Sequence, residues 1–245
     1  IVGSLHQRGF EPVEPLGTGY IKGYTTYLEA NGTQILLDTR IDTILMEDGA
    51  AVGVSGTTSQ GRPVTLRAKK GVIIATGGFG ANVEMREKYN TLWPSLVNQP
   101  TTNHPGATGD GIVMAEAAGA QLVQMEYIQL HPMGDPETGS LNTNPLSGSV
   151  KNTIYVNSSG ERFTAEDGRR DSICTDALNQ EGGVFWAVMN INTYPDETTH
   201  KSNFNATMEE LLASGHAVKG ETLAELAGKM GVPADALQKT VESFN

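Results

Sequence analysis

The chain has 245 residues and a formal net charge of −11, an acidity that repels nucleic acid and anionic membrane surfaces and so excludes both as partners. A hydrophobic content of 38% with 18% charged residues fits a globular protein with a sizeable core, arranged as one large domain or two modest ones. The lone cysteine, Cys174, excludes an internal disulfide framework, and no apolar run approaches the roughly 18 to 20 residues that a membrane span needs. The opening Ile1-Val2-Gly3-Ser4 has no initiator Met, basic n-region or apolar h-region, and reads as the start of an excised fragment or processed product. Cytoplasmic and exported, periplasmic locations both stand.

Tyr20, Ile21, Tyr24, Tyr27 and Leu28 recur at helical spacing within 18–31, and Asn31-Gly32 stops that helix. Gln34 to Leu37 reads as a short buried strand. From Ile41 to Thr57, two β-like runs flank Glu47-Asp48-Gly49, a hairpin signal because Asp-Gly readily supplies positive φ. Val64 to Arg67 continues the β pattern. Val72 to Ala75 is apolar and bounded by Gly71 and Gly77-Gly78, which suits a central strand. Helices are expected at 81–90 and 109–119.

After Tyr127 the texture changes. Residues 131–152 are rich in Pro, Gly, Asn, Ser and Thr and read as a long functional loop. A strand at 153–157, a helix at 171–181 and a strand at 185–189 follow. A polar, irregular stretch at 192–205 leads to amphipathic helices near 206–214, 221–230 and 234–244, with Pro233 placed to start the last. A mainly β first part therefore gives way to an α+β second part near Tyr127.

Four groups of residues have chemical potential. Gly71 to Gly80 runs a buried strand into glycines and then a helix; it is either a plain tight turn or a place where backbone comes close to a cofactor and a helix start offers free N–H groups. Thr108-Gly109-Asp110-Gly111 opens a second helix, with Thr108 or Asp110 as its cap, or with the carboxylate accepting from a ribose hydroxyl. His131 ends a strand-like segment, as a scaffold residue or as a carboxylate binder. Arg169-Arg170-Asp171 stands at a helix start, where cations oppose the macrodipole; the pair is either solvated and bridged to Glu166 or Asp167, or a carboxylate-binding fork. The five histidines show no metal-ligand spacing.

Taken together, GVIIATGGFGAN (71–82), ATGDGIVMAEAAGAQLVQMEYIQLHP (107–132), YVNSSGERFTAED-GRRD (155–171) and ETLAELAGKMGVPADALQKTVESFN (221–245) resemble the soluble fumarate reductase and flavocytochrome c family, relatives of succinate dehydrogenase flavoproteins. The resemblance implies an α/β plus α+β architecture: a partial Rossmann-type FAD-binding domain over 1–126, then a substrate-capping domain over 127–245. It implies FAD as cofactor and hydride transfer from flavin N5 to the C=C bond of a small, fumarate-like unsaturated carboxylate. Ala75, Thr76, Gly77 and Gly78 match the turn beside the FAD, and Asp110 and Ile41 match further FAD contacts. His131 matches the histidine that binds a substrate carboxylate, and Arg170 the arginine that protonates the carbanion. A haem or FMN electron-donor domain would lie outside this chain.

Two departures stand beside the resemblance. The family's Glu-x-x-Arg relay is missing, because 132–153 holds no arginine and only Asp135, Glu137 and Lys151 are charged. The family's GxGxxG strand and its second FAD segment lie outside residues 1–245, so the fragment by itself is expected to bind FAD weakly and to be inactive. A 3-ketosteroid dehydrogenase-like enzyme, a urocanate-type reductase and a non-catalytic scaffold relative are the alternatives.

Overall fold

Asp48 and Gly49 both take positive φ, 48° and 80°, and the chain reverses there between β1 (Thr39–Glu47) and β2 (Ala50–Thr58). β3 (Pro63–Arg67) adds on the far side of β2, giving an antiparallel sheet in the order β1-β2-β3. Gly53 and Gly56 let the neighbouring strands approach: a Cβ on Gly56 would sit 1.9 Å from the Arg40 carbonyl oxygen, and one on Gly53 2.2 Å from that of Leu66.

The computed structural model describes residues 13–14, 17–144, 150–202 and 204–245. Part of the long loop expected at 131–152, namely 145–149, and Asn203 lie outside the described residues, as does the opening tetrapeptide. The chain divides into two compact units, 1–73 and 74–245.

The first unit holds the sheet and α1 (Gly17–Ala30), which has no buried residue and leaves Ile21, Tyr24 and Tyr27 largely exposed. The strand expected at Gln34 to Leu37 does not form. That segment is irregular, Leu37 is 78% exposed, and Asp38 at φ 51° turns the chain into β1. The central strand expected at Val72 to Ala75 is likewise irregular, with Ile73 93% exposed. A strand exists only through a neighbour's hydrogen bonds, and apolar composition alone cannot supply one.

In the second unit, α2 (Val83–Tyr89) and α3 (Asp110–Ala117) follow the glycine turn. β4 (Thr153–Val156) pairs antiparallel with β5 (Trp186–Met189), and α4 (Arg170–Leu178) lies between them in sequence. The expected tail helices form as α5 (Met208–Ala213), α6 (Leu223–Met230) and α7 (Ala234–Phe244). Thr207 and Glu210 close a capping box on α5, and Thr222 caps α6 by accepting from Glu225 N.

The core sits between this hairpin and the last two helices: Ile154, Val156, Ala227, Met230, Val232 and Leu237 are buried together, with Trp186 and Val241 packed against them. Full burial of a side chain such as Leu237 stabilises by about 1.5–3 kcal/mol. α7 also holds the turn after β4, where Gly160 takes φ 78°, Thr240 Oγ1 donates to the Gly160 carbonyl at 2.8 Å, and the Arg162 guanidinium lies 5.4 Å from the Phe244 ring centroid. Among the described residues, no helix is long and apolar enough to cross a membrane.

Candidate functional site

The glycine turn is built for close backbone approach. Gly77 takes φ 77°, and a Cβ added to Gly77 or Gly78 would meet nothing within 4 Å. Ala75 and Thr76 are exposed beside them. The turn is held from behind by the 107–109 segment: Gly109 N donates to Gly78 O at 3.1 Å, and Ala81 N to Ala107 O at 2.9 Å. Asn82 Nδ2 donates to Thr108 O at 2.9 Å, while its Oδ1 caps α2 by accepting from Met85 N. Gly111 presses α3 onto the strand-like segment, since a Cβ there would lie 2.1 Å from Thr76 Oγ1 and 2.7 Å from Ile74 Cγ2. An open, side-chain-free backbone of this kind has the room that a flavin dinucleotide would occupy.

Asp110 is the first residue of α3, where a carboxylate is favoured by the helix dipole. Neither it nor Thr108 is the cap: Gly109 holds that position at φ 82° without a side-chain bond. The Thr108 hydroxyl instead donates to Asp110 Oδ1 at 2.9 Å and orients the carboxylate. Ile41, in the first unit, pairs with Gly56 next to a β-bulge between Ile41 and Thr43. Beside it is a cavity of about 510 Å³, lined by Asp38, Thr39, Arg40, Thr57, Thr58 and Ser59.

His131 stands on an irregular segment, not at the end of a strand; Trp93 Nε1 pins this segment by donating to Ile128 O at 2.9 Å. The half-buried ring accepts from Met133 N at Nδ1 (3.3 Å), which leaves the proton of the neutral imidazole on Nε2. Phe204 stands edge-on to it at 6.3 Å. Burial, and then the Arg170 cation, push the His131 pKa below the ordinary imidazole value.

Arg170 is the exposed first residue of α4. Its charge also pulls down the Cys174 thiol one turn later, but burial wins there and pushes that thiol up to about 11. Arg169 does not bridge to Glu166 or Asp167, one of the two readings open for the arginine pair; its Nε and Nη2 donate to the Asp171 carboxylate at 3.0 and 2.7 Å. Glu166 is buried and accepts from Arg162 Nη2 (2.6 Å) and Tyr155 N (2.9 Å), while Thr164 Oγ1 donates to Asp176 Oδ2 at 2.6 Å. These bonds fix the 162–168 loop that delivers Arg170. Sequence reasoning missed Arg162, Thr164 and Phe204 as supports; Arg162 and Thr164 lie on an irregular segment, where spacing alone signals no pairing.

A glycine turn with open backbone and an oriented carboxylate at the next helix start are the features of a nucleotide-cofactor protein. The family model of the FAD binding domain matches residues 13–245, and the chain belongs to that family. The chain is 36% identical over 245 residues to the NADH:acrylate oxidoreductase of Vibrio harveyi, a match covering all of this chain and 24% of that protein. The open conformation of a flavocytochrome c3 fumarate reductase superposes with a TM-score of 0.71 at 26% identity, covering 95% of this chain and 39% of that one. A 3-ketosteroid-Δ4-(5α)-dehydrogenase from Rhodococcus jostii RHA1 superposes at 0.63 and 28% identity, covering 95% and 44%. The chain thus spans about a quarter of the length of the acrylate oxidoreductase it matches.

Proposed function

We propose that this chain is the part of an FAD-dependent oxidoreductase that binds a small unsaturated carboxylate and protonates it as its C=C bond is reduced. The observation that carries this reading is the match of the FAD binding domain over residues 13–245, beside which the half-buried His131 holds its ring by accepting from Met133 N at Nδ1. Ala75 to Gly78, Asp110 and Ile41 would hold the cofactor, and residues 127–245 would form the cap over the substrate. Bound there, FAD would supply the hydride chemistry for reducing the double bond.

His131, kept neutral by its surroundings, donates from Nε2 to a carboxylate oxygen and fixes the acid in place. Arg170 faces the negative charge that develops on the second carbon, stabilises it and gives it a proton. A free guanidinium has a pKa above about 12, so the transfer requires a water-poor site and prompt resupply of the proton. That resupply comes from a group other than a loop arginine, since 132–153 has none. A cation and an imidazole donor suit an anion better than an apolar ring system, which favours a carboxylate over a steroid. Electrons would enter from a haem or FMN domain outside this chain.

The test is reduction by the full-length protein with reduced viologen, offered fumarate, acrylate, urocanate, cinnamate and a steroid enone. Turnover of one or more acids, lost in Arg170→Ala with flavin still bound, is the expected result. Turnover of the enone alone, or unchanged activity in Arg170→Ala, would overturn the assignment.

A further inference from the structure

Arg86 is a buried cation that the fold leaves short of partners. It lies on α2, just after the glycine turn, and is 6% exposed. A guanidinium carries five N–H donors. Here Nη1 donates to the Gln99 carbonyl at 2.8 Å, Nε has no partner, and among the described residues no carboxylate forms an ion pair with it. Glu87, next in the chain, turns its carboxylate elsewhere: Oε1 accepts from Leu96 N, and Oε2 accepts from Ser95 Oγ at 3.0 Å. Removing a charge from water without a counter-ion is costly, and an apolar side chain of similar volume would fill the space without that cost. Sequences break such local rules chiefly where function requires it.

What Arg86 holds is one long connecting segment. Arg86 and Glu87 fasten 95–99 to α2, where Leu96 is fully buried and Gln99 N donates back to the Leu96 carbonyl at 3.1 Å. Asn90, the C-cap of α2, fixes the start of the segment: its Nδ2 donates to Trp93 O (3.2 Å) and Pro94 O (2.9 Å), and its Oδ1 accepts from Trp93 N (3.0 Å). From this base the segment reaches three places. Trp93 Nε1 donates to Ile128 O at 2.9 Å, three residues before His131. Thr101 backs onto Gly139, eight residues after His131, where a Cβ would sit 2.4 Å from the Thr101 carbonyl oxygen. Asn103, whose N–H donates to Thr101 Oγ1 at 3.1 Å, abuts Gly80 of the glycine turn, where a Cβ would lie 2.1 Å from Asn103 Nδ2. Gly139 belongs to a small hairpin closed by bonds from Asp135 N to Ser140 O and from Gly139 N to Asp135 O. The 90–103 segment therefore touches the chain on both sides of His131 and the glycine turn as well. Gln99, the point that Arg86 holds, lies between Trp93 and Thr101.

We propose that Arg86 is a positioning residue: by holding Gln99 it sets 90–103 as a strut that keeps the His131 segment at a fixed offset from the glycine turn, and so places a substrate carboxylate relative to the cofactor. The roles of His131 and of the turn rest on the function proposed above; the mechanical link between them does not. Stability and function should accordingly come apart at this position.

The test uses the full-length protein with Arg86→Met, which fills a similar volume without the charge, Trp93→Phe, which keeps a ring without the N–H, and the double variant. Arg86→Met should retain its flavin and keep or raise the urea midpoint, since the charge without a counter-ion goes with the lost bond. KM for the reduced acid should rise about three- to tenfold in either single variant, the range for one lost hydrogen bond, with kcat little altered. The double variant should be no worse than the poorer single one, because both changes cut the same strut. Arg86→Lys, which keeps a donor for Gln99 O, should return KM part of the way. Amide hydrogen exchange across 127–140 reads the link without any substrate and should quicken in both single variants. A strongly destabilised Arg86→Met makes the guanidinium a stability element and overturns the proposal. Unchanged exchange in both single variants, or KM effects that multiply in the double variant, also overturns it. A wild type that reduces no carboxylate refutes the proposed function instead, and the exchange result then decides the strut by itself.

Discussion

Gly111→Ala is the sharpest test of how α3 supports the cofactor turn. Gly111 lies inside a helix, where alanine is favoured by about 1 kcal/mol on propensity alone. Here, however, the new methyl carbon would stand 2.1 Å from Thr76 Oγ1, 2.7 Å from Ile74 Cγ2 and 3.2 Å from Thr76 Cβ. Carbon contacts settle at about 3.5–4.0 Å, so the helix and the 74–76 segment must part by more than an ångström. Overpacking of this kind costs about 1–3 kcal/mol, and the net expectation is a loss of about 0–2 kcal/mol. Urea denaturation of the variant and of Thr76→Ala/Gly111→Ala measures it, with a coupling of about 1 kcal/mol expected because the second change removes the nearest atom. Displacement of Ala75 to Gly78 should also weaken flavin retention in the full-length protein. A variant stabilised by the full propensity gain, with no coupling to position 76, would show that the close approach does not constrain the turn.

Four further outcomes follow from named contacts. Arg170→Gln should raise the His131 pKa without restoring the ordinary value, because burial is the larger cause; an unmoved imidazole Hε1 titration would place Arg170 out of range. The same shift makes stability pH-dependent. A histidine with a depressed folded-state pKa contributes stability that is fully present above about pH 6.5 and is lost as pH falls through the folded-state value, so His131→Gln should flatten the acid limb of denaturation. Leu237→Ala should destabilise by about 2–5 kcal/mol in the same urea assay, and a smaller loss would mean that α7 contributes little to the core. Cys174, with its thiol pushed up to about 11 and buried, should react with iodoacetamide at neutral pH far more slowly than a peptide thiol, and rapid labelling would refute the burial.

What could be read in the sequence was whatever is decided locally. Asp48-Gly49 makes its turn through its own φ angles, so β1 and β2 were legible; the tail helices were legible from apolar spacing and from Pro233. Val72 to Ala75 and Gln34 to Leu37 were misread because their composition is that of strands, whereas their hydrogen bonds depend on neighbours that composition does not reveal. The α3 cap was misplaced by a single residue: Gly109 reaches the left-handed region that Thr108 and Asp110 avoid. Arg169 chose Asp171, two residues on, over the acids before it. Phe204 against His131 and His216 against Asp135 join residues more than seventy positions apart, and no local pattern announces them.

The grip of α7 on the turn after β4 has a consequence for biosynthesis. Thr240 and Gly160 are 80 residues apart, and at about 5–20 residues per second a ribosome needs roughly 4–16 s to pass from one to the other. During that interval the stretch leading to Arg170 has been made but lacks its anchor. Nascent chains stalled before residue 234 should therefore show this stretch open to protease, and chains that have released α7 should show it closed.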